Sequence, residues 1–148
     1  MHRTYETIRE VFVLLEIRVA EELAKKSLRS EQYNALRLLA EGDSLRMGEL
    51  SARLLVDDST TTRIVDSLEA AGLVRRTQDP SDRRAMRVAI TESGRRRERD
   101  AAKAVHDVAD KALASLSKQQ RQHLSSSLKA LREGLDAESQ QGNGETDE

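Results

Sequence analysis

SLRMGELSARLLVDDSTTTRIVDSLEAAGLVRRTQDPSDRRAMRVAIT, residues 44–91, is the stretch that decides the fold. It opens with two short amphipathic helical patterns back to back. Met47, Leu50 and Leu54 recur at i, i+3 and i+7, and after a break near Leu55-Val56 the pattern resumes with Thr61, Ile64, Val65 and Leu68. Asp57 or Asp58 can cap the second helix, because a carboxylate satisfies the first free N–H groups and the positive end of the helix dipole. Gly72 ends it where a left-handed residue is wanted. At 100° per residue, turning Ile64, Val65 and Leu68 inward turns Ser59, Thr62, Arg63 and Asp66 outward, with Thr60 and Ser67 on the flanks. Short hydroxyl side chains with one arginine let a helix sit deep in a groove, where Arg can bridge two acceptors on a guanine edge.

Next comes a small hairpin. Leu73 to Thr77, which includes Arg75 and Arg76, leads into a loop of Asp79, Pro80, Ser81, Asp82, Arg83 and Arg84. Met86, Val88 and Ile90 then alternate with Arg87 and Ala89, the period of a strand with one buried face. Pro80, the chain's single proline, sits in the connection, where it interrupts neither ladder. A helix-turn-helix followed by an arginine-tipped hairpin is a winged helix. A short strand near Leu45-Arg46 would add a third strand to its sheet.

At this point the sequence resembles the MarR family of bacterial transcription regulators. The resemblance rests on "GEL" before a helix, "TTTRIVDSLEAAGLVRR", "DPSDRRA" and "VAITESG", in that order, and covers residues 29–97. It implies a homodimer that binds a roughly palindromic stretch of double-stranded DNA, acts as a repressor, and responds to a small-molecule effector. It also implies that Arg84 is the wing arginine reaching the minor groove, with Asp82 orienting its guanidinium. The expected DNA-binding set is therefore Ser59, Thr60, Thr62, Arg63, Ser67, Arg76, Asp82, Arg83 and Arg84.

Charge supports this reading by its distribution. The net charge is only −1. Ala137 to Glu148 contains four acids and no base, while residues 72–97 carry eight arginines against three acids. The basic excess is thus local to the wing and the start of the helix after it. Arg95 to Arg97 read equally well as a solvated face; Arg83 and Arg84 at a loop tip do not.

The flanks are helical. Residues 4–28 form a long helix with Ile8, Val11, Phe12, Leu15, Val19 and Leu23 on one stripe. Ser30 caps a second helix, Glu31 to Glu41, that Gly42 closes. Thr91 caps a long helix from Glu92 to about Leu116, and Ser117-Lys118-Gln119-Gln120 is a capping box for the last one. Leu124, Leu128, Leu131 and Leu135 then make a 4-3-4 seam. With 34% charged and 2% aromatic residues, 148 residues offer a thin core that leaves such seams in need of a partner. The expected class is mainly α (α+β winged helix). Residues 1–28 and 93–136 form a helical dimerisation domain, residues 29–92 form an inserted winged helix, and residues 137–148 form a disordered acidic tail.

Other chemistries lack their residues. With no cysteine there is no disulfide framework and no thiol-based sensing. No nucleophile setting or phosphate loop points to an enzyme. His2, His106 and His123, even with Asp107 and Asp110, form no His-x3-His pair, so neither a metal nor another cofactor is expected. No leader peptide or apolar run long enough for a bilayer is visible, which implies a cytoplasmic protein with no membrane partner. Aromatics often line the family's effector cleft, and Phe12 and Tyr33 are the candidates here, both also readable as core. The competing function is a dimeric winged-helix scaffold that binds protein, or DNA without sequence preference.

Overall fold

The computed structural model describes residues 2–42 and 44–142, with side chains through 137. Its elements are α1 (His2–Ala24), α2 (Ser30–Ala40), β1 (Ser44–Arg46), α3 (Met47–Leu54), α4 (Asp58–Ala70), β2 (Val74–Gln78), β3 (Met86–Ile90), α5 (Glu92–Leu113) and α6 (Lys118–Gly142). The chain clusters into two compact units, residues 1–109 and 110–148.

In the first unit, α2, α3 and α4 pack against a three-stranded antiparallel sheet of order β1-β3-β2. Val74 pairs with Ile90 and Arg76 with Val88, while Leu45 pairs with Val88 from the other edge. The period-2 pattern of β3 is realised: Val88 and Ile90 are buried, and Met86 is exposed at the hairpin end. The expected third strand is present as β1. The core joins Leu36 and Leu39 of α2, Leu50 of α3, and Ile64, Val65 and Leu68 of α4 to these strands. Thr61 belongs to this inner face as anticipated, its hydroxyl donating to the Asp57 carbonyl (3.1 Å). Wholly burying a Leu or Ile stabilises by roughly 1.5–3 kcal/mol, so this set anchors the unit.

Helix ends explain the boundaries. Asp57 is the cap of α4, accepting from the Thr60 N–H at 2.7 Å. Gly72 takes φ +70°, with Gly72 N–H on Glu69 O (2.9 Å) and Leu73 N–H on Leu68 O (2.9 Å), the paired closure that a left-handed residue permits. Thr91 caps α5 by accepting from Gly94 N–H (3.0 Å) and also donates to Gly72 O (2.8 Å). The Ser117–Gln120 box forms reciprocally in the second unit, at 2.9 and 3.2 Å.

Several boundaries differ from the pattern. α1 ends at Ala24 rather than at residue 28, because Ser27 turns left-handed (φ 56°) and Leu28 N–H folds back onto Leu23 O (3.1 Å). Ser30 is the first residue of α2 rather than its cap; Arg29 occupies that position, and its N–H donates to Gln32 Oε1 (2.9 Å). Glu41, not glycine, terminates α2. α5 stops at Leu113, three residues short of Leu116, and α6 continues to Gly142. Residues 143–148 of the expected tail lie outside the described residues.

Of the α1 stripe only Leu23 is buried, with Val19 against the core; Ile8, Val11 and Phe12 are exposed. Leu124, Leu128, Leu131 and Leu135 of α6 are also exposed.

Candidate nucleic-acid interface

The outward face of α4 begins at its cap. Asp57 draws in the Ser59 hydroxyl (2.6 Å), the Thr60 N–H and the Thr60 hydroxyl (3.0 Å). These donors, the Ser59 hydroxyl foremost, pull the Asp57 carboxyl down to about 2. The Thr62 hydroxyl donates to Asp58 O (2.9 Å), and Arg63 lies along the helix with Nη2 3.4 Å from Thr60 Oγ1. Ser59, Thr62 and Arg63 are exposed and Thr60 is half-buried. With their hydroxyl protons directed back into the helix, Ser59 and Thr62 present lone pairs outward, acceptors for base amino groups, beside the donor fork of Arg63.

Two residues of the expected set are engaged within the fold. Ser67 faces α2, donating to Ile64 O (2.7 Å) and accepting from Gln32 Nε2 (2.9 Å), which takes it off the presented face. Arg76 is a strut from β2 to α4: its guanidinium holds Asp66 (2.6 Å) and Glu69 (2.6 Å), and its N–H also donates to Glu69 (2.9 Å). Helix position alone places Asp66 outward, and it is; the strand supplies the cation that neutralises it.

The wing is built on a carboxylate to which sequence reasoning gives no role. Asp79 is buried, and its carboxylate accepts from Arg46 Nε (2.8 Å), Arg87 Nη1 (3.1 Å), Ser81 N–H (2.9 Å), Ser81 Oγ (2.7 Å) and Asp82 N–H (3.2 Å). Arg46 beside it, and then the Ser81 donors, hold its carboxyl well below the usual carboxylate range. Arg46 and Arg87 are cross-strand partners on β1 and β3, so one acid ties the hairpin loop to both strands. The short spacing from Asp79 to Ser81 and Asp82 is a turn signature readable from sequence; Arg46, 33 residues away, is not. Asp82 also differs from expectation, as its carboxylate accepts from the Arg84 backbone N–H (2.9 Å) rather than from the guanidinium.

These pairings redistribute the basic excess. Arg76 and Arg87 are neutralised by acids. Arg97 donates to Lys26 O (2.7 Å) and Arg95 to Ala40 O (3.5 Å), cations at the C-terminal ends of α1 and α2. The side chains of Arg75, Arg83 and Arg84 are exposed and, among the described residues, make no hydrogen bond or ion pair. Arg84 and Thr62 border a cleft of about 540 Å³ between the start of α3, α4 and the wing, also lined by Arg46, Glu49, Asp58 and Met86.

Tyr33, expected as a candidate ligand contact, is a core residue, and burial, ahead of the nearby Glu98, raises its hydroxyl above the ordinary value. Phe12 is 61% exposed on α1. Among the described residues no group of acids and histidines could hold a metal ion, and no helix is long and apolar enough to cross a membrane.

A groove-sized polar helix flanked by an arginine-tipped hairpin defines a winged helix-turn-helix protein. Residues 28–86 match the profile of the MarR family, and the chain is similar in sequence and fold to transcription regulators of that family. Over 91 residues it is 30% identical to YsmB, an uncharacterized HTH-type transcriptional regulator of Bacillus subtilis, matching 62% of each chain. The chain spans 62% of that relative's length, and 37% and 57% of two further curated regulators. A MarR transcriptional regulator from Methanosarcina mazei superposes with a TM-score of 0.83 at 28% identity, over 93% of this chain and 99% of that one. Sco3205, a MarR family regulator from Streptomyces coelicolor solved in complex with DNA, superposes with a TM-score of 0.79 at 28% identity, over 90% and 86%.

Proposed function

We propose that the protein is a homodimeric, sequence-specific DNA-binding repressor working in the cytoplasm. The observation that carries this reading is that Ser59, Thr62 and Arg63 are exposed on one helix whose Thr62 shares a cleft with Arg84 of the wing, and that the Arg83 and Arg84 side chains pair with no acid among the described residues. In this reading α4 lies in a major groove, where Arg63 makes a two-pronged contact to guanine. The wing follows the backbone into the adjacent minor groove, where Arg84 responds to width and negative potential more than to base identity. Asp79 is the positioning residue that holds the wing at its angle to β1.

Two-fold symmetry comes from the flanks. The exposed residues of α1 include Tyr5, Ile8, Phe12 and Leu14, and those of α6 include Leu124 and Leu128. Such faces on separate helices need covering, and a second copy of residues 1–28 and 93–136 supplies identical seams. The winged helix of residues 29–92 is then presented twice, and a small-molecule effector acts by changing the spacing between the two copies. The acidic residues of the stretch 137–148 have no part in this machinery.

The test is a binding titration against the DNA upstream of the protein's own gene and a shuffled duplex of the same length, repeated over a salt series. Tighter binding to the native duplex and a steep fall with salt are expected, through release of counterions from neutralised phosphates. Equal affinity for both duplexes would leave a non-specific DNA binder, and no affinity for either a protein scaffold.

A further inference from the structure

The turn between α3 and α4 holds a residue in a conformation that residue disfavours. Leu55 stands at φ 58°, ψ 40°, the left-handed region that glycine enters freely and a side chain with a Cβ resists. Its N–H donates to Ala52 O and the next, Val56 N–H, to Ser51 O, both at 3.3 Å, so backbone bonds to α3 hold the turn whatever side chain it bears. Those bonds offset the backbone cost, but the side chain gains little among the described residues: Leu55 is 90% exposed, the most exposed large hydrophobic residue described, and Val56 beside it is 37% exposed. A strained backbone carrying a solvated apolar side chain persists where that side chain meets something outside the fold.

Position says what it meets. Leu55 lies two residues ahead of Asp57, the cap of α4, at the helix end that carries Ser59, Thr62 and Arg63. The N-terminal part of a recognition helix reaches base edges, so the chain entering it runs along the groove. Asp57 and Asp58 make this corner unfavourable for phosphate. The apolar surfaces a groove offers are the thymine 5-methyl group and the deoxyribose carbons. We propose that Leu55, flanked by Val56, is a DNA-contacting residue that packs on this apolar DNA surface beside the recognition helix. The inference rests on the DNA-binding reading above.

Leu55→Gly removes the side chain and relieves the backbone; Leu55→Asn keeps a residue tolerant of the left-handed region and makes it polar. The probe is a duplex selected by the parent protein from a random pool, prepared with thymidine and again with deoxyuridine throughout. Both variants are expected to melt no lower than the parent, Leu55→Gly a few degrees higher, while binding the thymidine duplex about tenfold more weakly. If the methyl group is the contact, deoxyuridine weakens the parent and leaves Leu55→Gly unchanged. If the sugar is, the parent binds both duplexes alike and the variants remain weak on both. Parent-like affinity in both variants overturns the inference, as does a lower melting temperature for Leu55→Gly, which would assign the side chain to the fold. A parent that selects no duplex sinks the DNA-binding reading as well; selection by the parent with indifferent variants sinks the Leu55 contact alone.

Discussion

Gly94→Ala separates packing from helix propensity with one methyl group. On an exposed helix this change stabilises by about 1 kcal/mol, since alanine orders at lower entropic cost. Here a Cβ on Gly94 would stand 2.0 Å from the Leu73 carbonyl oxygen and 2.8 Å from Ile90 Cγ1. Even weak C–H···O contacts settle near ~3.3 Å, so α5 must retreat from the sheet by about 1 Å. Leu73 O is also the acceptor for Thr91 N–H (3.0 Å), and the Thr91 hydroxyl bridges to Gly72 O, so the retreat breaks the junction that starts α5. Overpacking costs about 1–3 kcal/mol and each strained hydrogen bond about 1 kcal/mol. Net of the propensity gain, the loss is about 2–3 kcal/mol. For a chain of this size that lowers the melting temperature by roughly 8–12 °C. Thermal unfolding of Gly94→Ala beside Gly48→Ala, where a Cβ meets nothing within 4 Å, isolates the effect. A Gly94→Ala protein that melts with or above the parent would refute the close approach of α5 to the β2 entrance.

The same contacts set three further outcomes. A folded-state pKa below the unfolded one gives stability that is complete above the ordinary carboxylate value near ~3.9 and is lost as pH falls. The parent's melting temperature should therefore drop as pH falls from about 4, through about 2 for Asp57 and lower for Asp79; Asp79→Asn should melt lower at pH 7 and show a shallower acid limb. Arg63→Ala should weaken operator binding by about 1–3 kcal/mol and relax one base position, whereas Arg84→Ala should weaken many sequences and reduce the salt slope by about one, with the melting temperature unchanged in both, as isotherms on operator and scrambled DNA will show. Leu128→Asp places a charge on the exposed seam of α6 and should give a monomeric or unfolded chain by light scattering, where the parent is expected to have the mass of two chains.

The elements that position the interface are legible in the sequence because local rules set them. The stripe Thr61, Ile64, Val65 and Leu68 names the buried face of α4 residue for residue, and Gly72, Thr91 and Ser117 announce their helix ends. The hidden features depend on partners distant in sequence. Arg46 meets Asp79 only because β1 and β3 pair; Arg76 meets Asp66 and Glu69 only because β2 runs back along α4; Ser67 is claimed by Gln32 of another helix. A count of arginines therefore overstates the charge free to meet DNA, most of which the fold uses for itself. Gly94 closes the VAITESG run, but periodicity does not say why it is glycine: a Cβ there would meet the Leu73 carbonyl oxygen at 2.0 Å, and close packing of a helix on a strand entrance leaves no mark in the hydrophobic pattern.

The central claim, two recognition helices reading one symmetric site, is tested most directly by a hydroxyl-radical footprint of the parent on its own upstream DNA. A two-fold symmetric pattern is expected, with protected backbone flanking two major-groove segments about one helical turn apart and minor-groove protection outside each that disappears for Arg84→Ala. A single asymmetric patch, or uniform protection along the duplex, would contradict it.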